Sequence, residues 1–558
     1  MKHLSQGTHC APIAAGLALS LMAGIAHPAR PALADTGTIT IRQNHNQGAT
    51  YDAYLLFKAH VASDDKATGV VWASDEMKAA VLGFIDANGY KEWLSDRHPG
   101  AEMHDRAQIA AEFVSESIAG SPSDEGAATT PRTTAALSFS QRLARALSQD
   151  TSIPPQTATS GERFSGEQGL WLFVTTDSTT EAHNEAGTAP LWIPLGGSTS
   201  VVDEKAFVPT VNKEVREDST GAWGKVADAD TAQDLGYRLT GTLPSNFGAY
   251  DSYHYRFTDT LEPGLSVTVP EGADVADALT IRVGKSVVNA DDRALSVSLK
   301  DNVLVVDFAD LKDPVWHDLA IDKDTKITVE YSAHMNDRRV IGSAGNLNGV
   351  FLTYTDDPVS KGDGRTDEVP VRVFAYRLAL SKVDEQTGEP VPGAGFTIRM
   401  SDKNSDEESR GLFVQEDGSL GKTAHEFTTA ADGTFEVLGL DEGTYLISET
   451  TTPKGYLPLE DDITLTVISE LEGQSLSLSK LSSSMAGTEA DPASKSIAEV
   501  SVVDGNAGSV RIRVTNSRLI PMPLTGGTGL EEHVWTSAGV VMLAAFGLTV
   551  KRISRRHI

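Results

Sequence analysis

Along most of the chain, apolar and polar residues alternate in short runs broken by Gly, Asp, Asn and Pro. Alternation puts every second side chain on one face of a strand. Leu295–Leu299, Lys326–Tyr331 and Ile463–Val467 therefore each predict a half-buried strand. This pattern fills residues 206–365 and again 366–519, with 361–367 as the linker between the two stretches and the Ser-rich run 481–495 as an inserted loop. Residues 35–205 read differently. After an alternating opening over 38–58, Ser74 is placed to cap a helix with Met77, Val81, Phe84 and Ile85 on one face, ended by Asn88-Gly89. A second helix carries Ile109 and Phe113 and stops near Gly120; residues 121–134 read as a surface loop; strands resume at Leu170–Val174 and Leu191–Leu195. The expected fold class is mainly β: tandem immunoglobulin-like β-sandwich domains, 206–365 and 366–519, behind an α+β N-terminal domain, 35–205.

The same alternation shows polar residues where apolar ones belong. In the stretch Phe374–Lys382 the inward set Phe374, Tyr376, Leu378, Leu380 is continued by Lys382. Tyr445 and Ile447 are continued by Glu449, and Val510, Ile512, Val514 by Asn516. The preceding domain repeats the arrangement: Val211 and Val215 flank Lys213, Tyr253, Tyr255 and Phe257 lead to Asp259, and Asn348 leads to Val350, Leu352 and Tyr354. A buried unpaired lysine or carboxylate is expensive, so each needs a partner. A salt bridge would satisfy Lys and acid alone. The asparagine opens a second reading, because a lysine desolvated among apolar groups loses its proton more readily and becomes a nucleophile, while a carboxylic acid there keeps its proton. The acid can polarise the Asn carbonyl, the amine attacks the amide carbon, and ammonia leaves. The product is a Lys–Asn isopeptide bond, formed once and without turnover.

The two ends read as addresses. Lys2, an apolar run over 13–26 and Ala32-Leu33-Ala34 before Asp35 predict a cleaved secretory signal, residues 1–34. At the other end, within 520–558, Met522-Pro523-Leu524-Thr525-Gly526 precedes an apolar stretch over 534–550 and then Lys551, Arg552, Arg555 and Arg556. An apolar stretch of that length can hold the chain in a bilayer with the basic residues inside and the pentapeptide outside. The layout resembles the cell-wall sorting signal of Gram-positive surface proteins, with Met522 where that family's LPxTG has Leu. The resemblance implies that a sortase cleaves between Thr525 and Gly526 and passes the Thr525 carbonyl to an amine.

Composition narrows the partners. The 558 residues hold 47 Lys and Arg against 77 Asp and Glu, a net charge of −30. Loss of both ends would leave 41 basic and 75 acidic residues, so the exported form is more acidic still. That charge repels phosphate backbones and disfavours nucleic acid. Cys10 is the one cysteine and leaves with the signal, which excludes disulfides and thiolate metal sites. The 14 histidines show no ligand or zincin spacing. Gly418–Thr423 has too few residues between its glycines for a phosphate loop, and the acidic turns Asp291-Asp292 and Asp461-Asp462 read as solvated. No cofactor and no metal are expected, and no catalytic cleft of a turnover enzyme is indicated.

The stretch Tyr445-Leu-Ile-Ser-Glu449-Thr-Thr-Thr-Pro453-Lys-Gly455-Tyr456 resembles the E-box of sortase-assembled pilins and collagen-adhesin B-type domains, departing at Ile447 and Thr452. Lys382-Val-Asp384 with Gly393–Phe396 is similar to the first strand pair of those domains, and Val514-Thr-Asn516 to the last strand. Residues 206–365 resemble the A-type fold through Pro209–Lys213 and Phe257–Leu261, with Lys225 a rival to Lys213. The resemblance implies a pilus shaft subunit carrying Lys213–Asn348 and Lys382–Asn516 cross-links promoted by Asp259 and Glu449, each tying a first strand to a last. It implies as partners a sortase, neighbouring copies of the chain and peptidoglycan, at the cell wall after transient membrane anchoring. A shaft also needs an exposed lysine to receive Thr525. Lys205 occupies the family's place for it without the YPK letters, its neighbours Asp203 and Glu204 marking an exposed position. A monomeric wall-anchored adhesin binding a host matrix or glycan ligand would share the same ends and sandwiches.

Overall fold

The computed structural model describes residues 35–518 except 44–47, 100–104, 120–138, 177–178, 180–182, 291–293, 361, 405, 460, 487–497 and 505–507. In the N-terminal unit, a five-stranded antiparallel sheet is built on the neighbouring strands Thr50–Val61 and Gly169–Thr175. Every residue of Gly169–Thr175 is buried. Helices cover one face, packing Val81, Ile85, Phe113 and Leu143 on Leu56 and Leu172. Ile39 and Ile41 of a three-stranded sheet cover Trp171 and Phe173 on the other. The expected helices span Asp75–Asp86, capped by Ser74 Oγ accepting from Met77 N at 3.1 Å, and Ala107–Ala119. Two more, Tyr90–Arg97 and Phe139–Ser148, were not read from the sequence. The first is short and mostly polar; the second buries only Gln141, Leu143, Ala144 and Leu147. The loop expected over 121–134 lies outside the described residues.

The second unit is a sandwich of two seven-stranded sheets. One contains Val211–Arg216, Leu235–Gly241 and Ile327–Met335; the other contains Tyr255–Leu261, Asn346–Thr355 and Val369–Phe374. Side chains of alternate parity from both sheets form one core, including Tyr237, Tyr255, Phe257, Val329, Val350 and Leu352. The third unit pairs Tyr376–Asp384 in parallel with Ser509–Asn516, and packs that sheet on a second one holding Gly395–Met400, Gly443–Thr451 and Ile463–Glu472.

Two sequence-read boundaries move. The sheet of the second unit runs on through Val369–Phe374, which pairs with Asn346–Val350, so the third unit starts at Tyr376 and not at 366; Asp363–Arg365, read as linker, is itself a strand against Thr353–Thr355. The Ser-rich run is not a loop over 481–486: Ser477–Ala486 is a strand antiparallel to Thr464–Glu472. Leu478 and Leu481 supply its buried side chains, and serine tolerates the outer edge position. Residues 413–414 and 420–421 form a hairpin closed by Gly418 at φ 86°.

The joint between the second and third units is packed rather than loose. Thr231 N donates to Gly439 O at 3.0 Å, Arg339 Nη2 donates to Leu438 O at 3.1 Å, and Tyr376 Oη donates to Asp228 Oδ2 at 2.5 Å. Around this contact lie Glu217, Asp218, Asp230, Asp406, Asp417, Asp441 and Glu442, with Arg339 the cation beside Asp417. Burial first, and repulsion between carboxylates second, pushes Asp228, Asp230 and Asp441 up, Asp230 to about 8. Carboxyls raised in the folded state make it bind more protons than the unfolded one. Joint stability is then fullest below the ordinary carboxylate range, near pH ~4, and is lost as pH rises through about 8. Hydrogen-exchange protection of 226–231 and 374–376, corrected for intrinsic rate, is expected to fall between pH 5 and pH 8.5; constant protection would contradict this.

Candidate functional site

Alternation delivers the first candidate group to the middle of the second unit. Lys213 projects from one sheet and is fully buried; Asp259 and Asn348 project from the facing sheet and are equally buried. Lys213 Nζ is hydrogen-bonded and ion-paired to Asp259 Oδ1. Desolvation pushes the Lys213 amine down to about 8 against the opposing pull of Asp259. Lys225 is elsewhere: its Nζ lies 2.7 Å from Asn212 Oδ1 and 2.5 Å from Lys213 O, on the flank of the strand.

A residue outside the expected set completes this group. Tyr331 Oη donates to Asp259 Oδ2 at 2.6 Å and accepts from Lys213 Nζ at 3.1 Å and from Asn348 Nδ2 at 2.7 Å. Its ring stacks on Tyr237 with centroids 5.3 Å apart, and Lys213 Nζ sits 5.5 and 5.6 Å from the two ring centres. The acid therefore reaches Asn348 through Tyr331, and Asn348 Oδ1 has no hydrogen-bond partner, unlike the direct acid-to-carbonyl contact expected. Tyr331 was legible as an inward position after Ile327 and Val329, but nothing in its strand marked its hydroxyl as meeting three polar groups from other strands.

In the third unit Lys382 and Asn516 are again buried, and the Glu449 side chain, like that of Lys382, is at 0% exposure. Lys382 Nζ is 3.2 Å from Glu449 Oε2, which also accepts from Leu459 N at 2.8 Å. Burial lowers the Lys382 amine, opposed by Glu449. Glu449 Oε1 and Asn516 Nδ2 have no hydrogen-bond partner, and Phe396 supplies the ring beside Lys382 Nζ, 5.2 Å away. Lys382 pairs in register with Val514 and Asp384 with Asn516 on the neighbouring parallel strand. The other motif residues close this end. Tyr456 Oη donates to Asp384 Oδ2 at 3.0 Å, Arg518 Nε bonds the same oxygen, and the backbone amides of Gln386 and Thr387 each donate to Asp384 Oδ1 at 2.9 Å. Together these hold Asp384 well below the usual carboxylate range.

The two groups differ in geometry. Lys382 and Asn516 share a sheet and lie on first and last strands. Lys213 and Asn348 face each other across the sandwich, and Asn348 is not on a last strand, because 363–365 and 369–374 follow it.

Lys205 is exposed, while its backbone is tied down: its N donates to Thr188 Oγ1 at 3.0 Å and its O accepts from Ala189 N at 3.3 Å. Its neighbour Glu204 is not an exposed residue as read. It is 2% exposed and accepts from Tyr51 Oη at 3.0 Å. Cys10, Met522, Pro523, Leu524, Thr525, Gly526 and the 534–550 stretch lie outside the described residues. Among the described residues no helix is long and apolar enough to cross a membrane.

Residues 376–480 match the family model described as SpaA, a prealbumin-like fold domain. The chain is 24% identical over 280 residues to the trypsin-resistant surface T6 protein of Streptococcus pyogenes serotype M6; the match takes in 47% of this chain and 46% of that protein, about half its length. Among solved structures, the T6 backbone pilin of serotype M6 Streptococcus pyogenes superposes over 87% of this chain and 99% of its own, with TM-score 0.51 and 14% identity. The full-length major pilin SpaD of Corynebacterium diphtheriae covers 87% of this chain and 97% of its own, with TM-score 0.43 and 13% identity. The chain thus shares its three-unit fold with the first of these structures.

Proposed function

We propose that the chain is a structural shaft subunit of a covalently polymerised surface pilus, each sandwich locked by an autocatalytic Lys–Asn isopeptide bond. The carrying observation is the pair of buried Lys–acid–Asn groups, one per sandwich, in which each lysine is shifted toward its neutral, nucleophilic form. In each, the lysine Nζ attacks the asparagine Cγ. The C–Nδ2 bond breaks, a proton from Nζ ends on the leaving nitrogen, and one ammonia is released for one amide formed. In the third unit the leaving nitrogen, Asn516 Nδ2, is an unsatisfied buried donor, so its departure removes a desolvation cost. Lys213 is the nucleophile assigned to the second unit, since its amine and not that of Lys225 lies against Asp259.

Polymerisation follows at the ends: a sortase cleaves after Thr525, and the exposed Lys205 amine of the next copy takes the acyl group, with peptidoglycan as the final acceptor. A backbone held on both sides of Lys205 presents that amine in a fixed place. The fold shared with a solved structure described as a backbone pilin favours a shaft subunit over an anchored monomer.

Two measurements test this. The intact mass of the folded protein is expected to fall short of the sequence mass by roughly 17 Da per bond; an unshifted mass refutes the cross-links. Boiled wall extracts are expected to give a high-molecular-weight ladder that Lys205→Ala abolishes. A single monomer band from the unaltered chain would refute the shaft reading in favour of the anchored adhesin.

A further inference from the structure

We propose that Tyr331 is a catalytic residue for bond formation in the second unit, relaying to the leaving nitrogen of Asn348 the proton that Lys213 gives up. The inference rests on the isopeptide reading and adds a step to it. Among the described residues Tyr331 is the group that touches all three members of the Lys213–Asp259–Asn348 set, and its contacts form a closed circuit. Nζ bonds Asp259 Oδ1, Tyr331 Oη bonds Asp259 Oδ2, and Oη lies 2.7 Å from Nδ2.

The circuit balances. Attack of neutral Nζ on Cγ forms the N–C bond and leaves Nζ positively charged; Asp259 Oδ1 takes that proton. The collapsing intermediate needs a proton on Nδ2, which now carries a lone pair, and the Tyr331 hydroxyl supplies it. Tyr331 recovers its proton from the Asp259 carboxyl. Ammonia leaves, and both Asp259 and Tyr331 end as they began. The stack on Tyr237 fixes the phenol plane, and full burial keeps water from carrying the proton instead.

The third unit offers a comparison within one molecule. There the ring beside the amine is Phe396, which has no hydroxyl, and Asn516 Nδ2 has no hydrogen-bond partner. Tyr331→Phe keeps the ring and the stack and should slow the second-unit reaction alone, by about 100-fold or more, the usual yield of a positioned general acid. Freshly purified full-length Tyr331→Phe protein is expected to lack one ammonia where the unaltered chain lacks two, with peptide mapping finding Lys382–Asn516 joined and Lys213–Asn348 open. The missing loss should then appear slowly on incubation of the folded protein.

Full joining of both pairs in Tyr331→Phe at the unaltered rate overturns the relay. No ammonia loss from the unaltered chain overturns the isopeptide reading itself, a separate result. Should Tyr331→Phe fail to fold, site-specific 3,5-difluorotyrosine at 331 keeps every contact while making the phenol more acidic. The pH dependence of Lys213–Asn348 joining is then expected to shift to lower pH, with that of Lys382–Asn516 unmoved; an unmoved profile at both pairs overturns the relay.

Discussion

Lys213→Ala is expected to destabilise the second unit well beyond Asn348→Ala, although each removes the same proposed covalent bond. Asn348→Ala removes the proposed cross-link and leaves Lys213 paired with Asp259. By analogy with other covalent constraints on the unfolded chain, that loss is about 2–4 kcal/mol. For a unit of this size it corresponds to a fall in Tm of roughly 5–15 °C. Lys213→Ala also strands Asp259 in a core where its side chain is 1% exposed. An uncompensated buried charge adds about 3–5 kcal/mol. Lys213→Met with Asp259→Leu should recover the second loss but not the first, since an apolar pair of similar volume can replace a buried ion pair with little penalty. Calorimetry of the variants should therefore order them with Lys213→Ala lowest. Equal transitions for Lys213→Ala and Asn348→Ala would mean that Asp259 does not depend on Lys213.

The second large effect is mechanical. When the chain is pulled from its ends, load entering the third unit at Tyr376 runs along the first strand to Lys382. With the bond in place, load crosses there to Asn516 and leaves, so 383–515 is never stretched. In the second unit it crosses from Lys213 to Asn348, sparing 214–347 but not the strands 363–365 and 369–374 that follow. Each shielded segment is roughly 130 residues, or about 45 nm of extended chain. Single-molecule extension of the unaltered protein is expected to show no step of that length from either sandwich. Asn516→Ala should add one such step and Asn348→Ala another. Steps of about 45 nm from unaltered protein would show that its sandwiches are not locked.

What could be read without coordinates follows from local rules. The parity rule placed Lys213, Asp259, Asn348, Lys382, Glu449 and Asn516 on inward faces, and each side chain is buried as that rule requires. It worked because one strand's own apolar residues report which face is the core. The helix from Asp75 was legible through its cap and one apolar face, whereas Tyr90–Arg97 was not, being held by Tyr90 and Leu94 against other elements. Lys205 was read as exposed from acidic neighbours, one of which is buried against Tyr51.

Local pattern along the chain is thus enough for the fold class, the three-unit order and the side chains each strand aims at a core, because these depend on residues two or four positions apart. Which inward groups meet is set by how the sheets pack in three dimensions. Tyr331 stands more than a hundred residues from Lys213, and its contacts depend on two sheets coming face to face. The same packing also decides that Lys213 and not Lys225 lies against Asp259, that the second unit extends to Phe374, and that carboxylates far apart in sequence crowd into one joint. Pairings of this kind depend on strand order and register across the sheets, which alternation along a single strand does not encode.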